Sequence, residues 1–144
     1  MSNKLIKNLN KNQSKFLLSL RNNKIVRNYS QNKKKIKLND HKNWIKQFYK
    51  NKRNKLIIIY RNKLMIGYIR MELNYSKFKV SWALKKSFHN KGIMSKELMN
   101  ATKNKFKKYK CLIHKRNLAS IKVAKKAKFI LKKKENLYYL FTKN

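Results

Sequence analysis

The stretch SFHNKGIMSKEL, residues 87–98, sets one of only two glycines in the chain between lysines and ahead of an apolar helical pattern. It follows KVSWAL, a run suited to a pleated sheet, so residues 79–106 read as strand, short basic loop and helix. Such a junction can hold an anion. The first N–H groups of a helix lack internal partners, and the helix dipole favours negative charge there. A glycine lets a phosphate approach the backbone with no Cβ in the way, and Lys91 and Lys96 add charge. A glycine at a strand-to-helix turn is also common without any ligand, so the stretch alone leaves both readings open.

Acid–base groups are few enough to enumerate. Asp40 stands where it could cap a helix, Glu97 sits one turn into the helix after Gly92, and Glu135 falls in a late loop. Glu72 closes a strand beside the presumed cleft and is the candidate general base; a surface ion pair with lysine is the alternative. His41 reads first as a surface residue at a helix start. Cys111 lies in the apolar run CLI and reads as a buried thiol, and one cysteine excludes an internal disulfide. His41, His89 and His114 lack metal-ligand spacing, so no metal is expected.

The charge is extreme, with 41 Lys and Arg against 4 Asp and Glu and a net charge of +37. A chain so charged attracts polyanions through counterion release and steering. Composition offers a second explanation. Lys (35), Asn (20) and Ile (13) share A- and T-rich codons, while Gly is 2, Pro is absent and Arg is only 6. Codon drift in an AT-rich genome would give this bias at tolerant surface sites. Arg, the residue that reads phosphate bidentately, is the scarce one.

Around the glycine junction, the chain of 144 residues suits one domain, 1–144, with no linker or repeat. Residues 12–22 carry a short helical pattern; a long polar loop follows; then a helix from Asp40 presents Trp44, Ile45, Phe48 and Tyr49 on one face. KLIIIYRNKLMIGYIRMEL reads as two strands joined at Arg61-Asn62-Lys63, and FKVSWAL as a third. A helix over 93–106, a strand CLIH, a helix over 118–127 and a hairpin from 129–131 and 137–141 complete a mixed α and β order. The longest apolar run, LIIIY, cannot cross a bilayer, and the N-terminal stretch lacks a continuous apolar signal core. A cytoplasmic location is the expectation.

GYIRMEL, KVSWALKKSFHNKGIMSKELMNA and HKRNLASIKVAKKAKF, in that order, resemble the successive motifs of the GCN5-related N-acetyltransferase (GNAT) superfamily. The family's pyrophosphate-loop register falls on His89-Asn90-Lys91-Gly92-Ile93-Met94, and its late Asn-x-x-Ser on Asn117 and Ser120. His89 stands where Arg or Gln is usual, Met94 where a small residue is, Ala124 where many members carry a Tyr acid, and Lys128 in place of a glycine. LRNNKIVRNYS and DHKNWI resemble members that acetylate nucleotide-linked amino-sugars. The resemblance implies an α+β, α/β/α layered fold with a mixed, mostly antiparallel, splayed sheet and acetyl-CoA in the splay. It implies a pyrophosphate on the backbone of Lys91 to Ser95, and a pantetheine arm along a bulged strand at Trp82, Ala83 and Leu84. Asn117 and Ser120 would lie beside that arm. On the acceptor side it implies Arg21, Asn22, Arg27 and Trp44, facing an amine on an anionic small molecule. Non-specific polyanion binding is a further expectation from charge. Two other readings remain at this point: a non-catalytic RNA-binding or ribosome-associated protein, and a decayed acetyltransferase that binds coenzyme A without turnover.

Overall fold

The computed structural model describes residues 3–144. Seven strands form one sheet in the order β1-β2-β3-β4-β5-β7-β6, antiparallel throughout except for the parallel pair β4 and β5. The strands are β1 (Lys4–Leu5), β2 (Lys55–Arg61), β3 (Leu64–Asn74), β4 (Lys77–Leu84), β5 (Tyr109–His114), β6 (Ile130–Lys134) and β7 (Tyr138–Lys143). Five helices flank them: α1 (Lys11–Arg21), α2 (Lys24–Asn28), α3 (Leu38–Lys50), α4 (Ile93–Ala101) and α5 (Leu118–Lys126). This is the α+β architecture with a mixed, mostly antiparallel sheet that the sequence implied.

Strand alternation divides the core in two. Leu17, Leu20 and Phe48 from α1 and α3 pack with Leu56, Tyr68 and Ala83 on one face of the sheet. Met94, Leu98 and Ala124 from α4 and α5 pack with Ile69, Val80, Ile113 and Phe141 on the other. The parallel pair is short. β4 meets β5 only at Phe78↔Tyr109 and Lys79↔Lys110, yet β4 continues to Leu84 and β5 to His114. Past that point the two strands have no ladder between them, and the gap opens toward their C-terminal ends.

Gly67 fixes the far end of β4. It pairs with Leu84, and a Cβ on it would lie 2.6 Å from the Ala83 carbonyl oxygen and 2.8 Å from Leu84 Cδ1. Gly67→Ala is therefore expected to cost about 1–3 kcal/mol of stability by overpacking and to shift the 82–84 segment. Denaturant unfolding together with acetyl-CoA titration checks this, since both readings should worsen.

Several local expectations change. The helix after Asp40 starts earlier, at Leu38 with Lys37 as N-cap; Asp40 lies in the first turn, where its charge suits the dipole without capping. The polar stretch read as loop contains α2, capped by the Asn23 side chain on the Ile25 N–H at 2.9 Å. α4 ends at Ala101 rather than near Phe106: Thr102 is its C-cap, leaving helical dihedrals at φ −112° and ψ 24° while its N–H and Oγ1 both donate to the Leu98 carbonyl, at 3.0 and 2.8 Å. β1 was not foreseen, and β6 begins at Ile130. The β3–β4 ladder runs without a register shift from Gly67↔Leu84 to Asn74↔Lys77, so β4 carries no bulge at 82–84. Lys128, in place of a glycine, takes the left-handed conformation at φ 73°. No helix among the described residues is long and apolar enough to cross a membrane.

Candidate active site

The splay between β4 and β5 opens into a cavity of about 520 Å³ that runs from the 88–95 loop to the helices α1 and α2. Its two halves are built differently.

In the first half, Asn90 (φ 61°) and Gly92 (φ 73°) are both left-handed and turn the chain sharply into α4. Gly92 is the N-cap and offers no side chain, so the N–H groups of Ile93, Met94 and Ser95 face outward unpaired; the first helical bond is Lys96 N–H to Gly92 O at 3.2 Å. Apart from its chain neighbours, no protein atom lies within 4 Å of where a Gly92 Cβ would sit. That open space above free N–H groups is what an anion needs. Lys91 leans its ammonium over the Phe88 ring at 5.6 Å, and Lys122 and Lys126 of α5 line the same cavity. His89 does not reach outward: its Nε2–H donates to the Leu84 carbonyl at 2.8 Å, closing the loop on the end of β4. Met94 is buried in the core beside the cavity, which it helps to line.

The β4 edge supplies the next feature. Phe78 N–H bonds the Lys108 carbonyl toward β5, and Lys85 N–H bonds the Ile66 carbonyl toward β3. Alternation then turns the N–H of Ala83 toward β3 and those of Trp82 and Leu84 into the splay. An extended ligand can pair with that edge as an added strand. Across the gap, Asn117 caps α5 by accepting the Ser120 N–H on Oδ1 at 3.2 Å, and both residues line the cavity.

The second half is cationic and aromatic. The Arg21 guanidinium lies 4.5 Å, and that of Arg70 5.1 Å, from the Trp44 ring centroid. Arg70 Nη2 donates to Ser81 Oγ at 3.4 Å; its Nε is buried without a hydrogen bond, although Glu72 Oε1 lies 3.0 Å away as an ion pair. Burial, then the neighbouring Arg70, lowers the Arg21 pKa from its usual 12.5. Fully buried His41 holds Arg21 in place: Arg21 Nη1 donates to Nδ1 at 3.4 Å, and Nε2–H meets the Ser14 carbonyl at 3.1 Å. His41 is thus an interior positioning residue and not the surface residue expected.

Asn22 and Arg27 act on the chain itself. Asn22 clamps Ile36 through both backbone groups, at 3.0 and 2.7 Å, and lies outside the cavity lining. Arg27 lines the cavity while bonding the carbonyls of Asn22 and Lys33 at 3.1 and 3.2 Å. Trp44 acts beneath the two arginines rather than at the cavity wall. Glu72 is partly exposed, paired with Arg70 and also outside the lining. Glu97 pairs with Arg61 at 3.4 Å and Glu135 with Lys133 at 3.4 Å, so none of the four carboxylates lines the cavity. Cys111 is buried, and burial pushes its thiol up to about 12.

Arg70, Ser81, Tyr68 and His114 line the cavity without having been singled out from sequence. His114 closes β5, level with Ala83 when the β4–β5 register is extended. Its Nδ1 accepts the Arg116 N–H at 3.1 Å, so Nε2 carries the hydrogen, and the rings of Tyr29 and Tyr138 flank it at 5.5 and 5.3 Å. A signal existed in its place three residues before Asn117.

Burial, then Arg21, holds His41 below its ordinary 6.5; burial, then Lys33, Arg116 and Lys115, does the same to His114. The unfolded chain therefore binds more protons as pH falls through 6.5, and stability is expected to fall with it until the folded-state values are passed. Thermal unfolding between neutral and mildly acidic pH checks this. His41→Gln should start less stable and show a shallower decline.

A splayed sheet edge, a free helix N-terminus and an open cavity at their junction have the geometry of a coenzyme A-dependent acyltransferase. The sequence profile of the Acetyltransferase (GNAT) domain matches residues 7–130, and the chain belongs to that family. Its co-substrate is acetyl-CoA. Similar solved structures include the Campylobacter jejuni N-acetyltransferase PseH with acetyl coenzyme A, at 16% identity, a TM-score of 0.70 and coverage of 97% of this chain and 96% of that one. RimL, the ribosomal L7/L12 alpha-N-protein acetyltransferase with coenzyme A, gives 16%, 0.78, 99% and 94%. The microcin C7 self-immunity acetyltransferase MccE with acetyl-CoA and AMP gives 16%, 0.75, 99% and 92%. No curated protein matches the sequence.

Proposed function

We propose that this N-acetyltransferase carries the acetyl group to the primary amine of an anionic, nucleotide-linked amino-sugar. The observation that supports this most is the pair of guanidiniums, Arg21 and Arg70, gathered over Trp44 in a cavity lined by no carboxylate. Glu72 balances Arg70 from outside the cavity, Arg21 has no carboxylate in ion-pair contact among the described residues, and the pair is left with a net positive charge that an anion would offset. Such a site repels a polyamine or a basic peptide and accepts a diphosphate. The resemblance of LRNNKIVRNYS and DHKNWI to sugar-nucleotide acetyltransferases supports the same class, as does the AMP in the MccE complex.

In this reading the pyrophosphate of acetyl-CoA rests on the N–H groups of Ile93 to Ser95, and its arm pairs with the Trp82–Leu84 edge. The acceptor nitrogen attacks the thioester carbon, and the oxyanion takes the inward N–H of Trp82 or Leu84. The C–S bond then breaks with its electron pair on sulfur, which leaves as a thiolate in a cationic field. With Glu72 held by Arg70, no carboxylate reaches the amine directly. Instead, the surrounding cations lower the ammonium pKa, the amine attacks in its neutral form, and its second proton leaves to water. Glu72 acts through Arg70, as a positioning residue.

Thiol release from acetyl-CoA with UDP- and CMP-linked amino-sugars, spermidine and an N-terminal peptide tests the acceptor class. A nucleotide amino-sugar should be acetylated and the two cations ignored. Modification of the peptide with no sugar turned over would overturn the proposal.

A further inference from the structure

At the end of the sheet opposite the cavity, two aromatic rings stand almost wholly in solvent: Phe106 is 99% and Tyr75 96% exposed. Tyr75 sits in the two-residue β3–β4 turn with φ 57°, a left-handed conformation that costs a bulky residue where Gly or Asn would be free of strain. Phe106 lies in the α4–β5 loop, its N–H on Asn104 Oδ1 at 2.9 Å and its ring against nothing.

The two loops are neighbours. Lys110 Nζ donates to Asn74 Oδ1 at 2.7 Å, and the Phe78 N–H bonds the Lys108 carbonyl at 2.9 Å. The start of β2 joins them, because Lys107 is close enough to Lys55 and Arg53 for their charges, after burial, to lower its pKa. Segments 51–55, 74–77 and 103–110 thus share one end of the molecule. They carry Lys52, Arg53, Lys55, Lys77 and the lysines of KNKFKKYK, and no Asp or Glu. Lysine is spread along the whole chain, whereas the two aromatic rings left exposed among the described residues both fall at this end, among crowded cations.

We propose that this end of the molecule is a docking surface for single-stranded nucleic acid, with Tyr75 and Phe106 as stacking platforms and the surrounding lysines as phosphate contacts. Bases of a single strand have free π-faces, and aromatic rings amid cations hold them with little sequence preference. A duplex presents stacked bases and would use only the charges. An anionic bilayer would likewise be held by charge, and two rings on separate short loops give no continuous apolar face to insert. The surface lies away from the β4–β5 splay, so docking leaves the acetyl-CoA cavity open.

Fluorescence anisotropy with a uridine-rich single-stranded RNA, a duplex of equal length, and phosphatidylserine vesicles as competitor tests this on the full chain. The single strand should bind more tightly than the duplex at every salt concentration. Tyr75→Ala with Phe106→Ala should weaken it about tenfold or more with little change in salt slope. Lys105→Ala with Lys108→Ala should flatten the salt slope more than the distant pair Lys125→Ala with Lys132→Ala. All these variants are exposed, and unchanged far-ultraviolet dichroism and thermal midpoint confirm the fold. Several results would overturn the inference: the aromatic variant binding as the wild type does, the duplex binding as tightly as the single strand, equal loss from both lysine pairs, or full displacement by vesicles.

Discussion

Arg70→Ala is expected to lower kcat/KM for an anionic acceptor by about 100-fold or more, with acetyl-CoA affinity nearly unchanged. Truncating one partner of a desolvated charge contact costs about 2–5 kcal/mol, which is the size of that loss. The locality follows from position: Arg70 lies over Trp44 and bonds Ser81, on the α1 and α2 side of the cavity, away from the 88–95 loop. Arg70→Lys keeps the charge but loses the planar fork that lies on the indole, so it should recover little. Glu72→Gln separates the two roles open to Glu72. If it only tethers Arg70, as the 3.0 Å ion pair indicates, the loss stays near tenfold or below and the pH profile keeps its shape. Loss of the acidic limb of the pH profile, where a base is switched off by protonation, would instead restore Glu72 as the base.

Gly92→Val should produce the opposite pattern. Acetyl-CoA affinity is expected to fall about 100-fold, while the acceptor half stays intact. At φ 73° a β-branched side chain costs about 1–2 kcal/mol on its own. That cost should appear as a drop of about 3–6 °C in thermal midpoint. The loss of affinity comes from space: beyond its chain neighbours a Gly92 Cβ meets no protein atom within 4 Å, so the added methyls extend into open volume at the start of α4. Calorimetric titration with acetyl-CoA, beside the thermal scan, separates the two contributions.

Much of this was legible in the chain. Local pattern reported the elements with strong periodicity: the two-residue hairpin at Asn62 and Lys63, both at positive φ, the strand into SFHNKG, and the helix capped by Asn117. The turn at Gly92 was readable because its cause is local, a left-handed residue followed by helix. Elements held by context were not. β1 is two residues long and exists because it pairs with β2, and α2 is five residues held by the Asn23 cap and the Asn22 clamp on Ile36. Phe106 fell on the helical period yet is fully exposed, since periodicity cannot see Thr102 ending the helix.

The half of the cavity that holds the arginines illustrates the same limit. Arg21 and Trp44 stood out singly, but Arg70 joins them from β3 and His41 supports Arg21 from the interior. No spacing in the sequence announces a contact across 20 or more residues. Gly67 was equally silent, because its reason is the carbonyl of Ala83 on the next strand.

The claim on which the rest depends is that the β4–β5 splay seats acetyl-CoA specifically, and not as one polyanion among many. Thermal unfolding with acetyl-CoA, with coenzyme A, and with an equal charge of polyphosphate, each at low and at moderately high salt, tests it most directly. A ligand that binds the folded state raises stability by mass action. Acetyl-CoA should raise the midpoint at both salt concentrations, and Gly92→Val should remove most of that rise. A shift matched by polyphosphate and erased by salt would contradict the account.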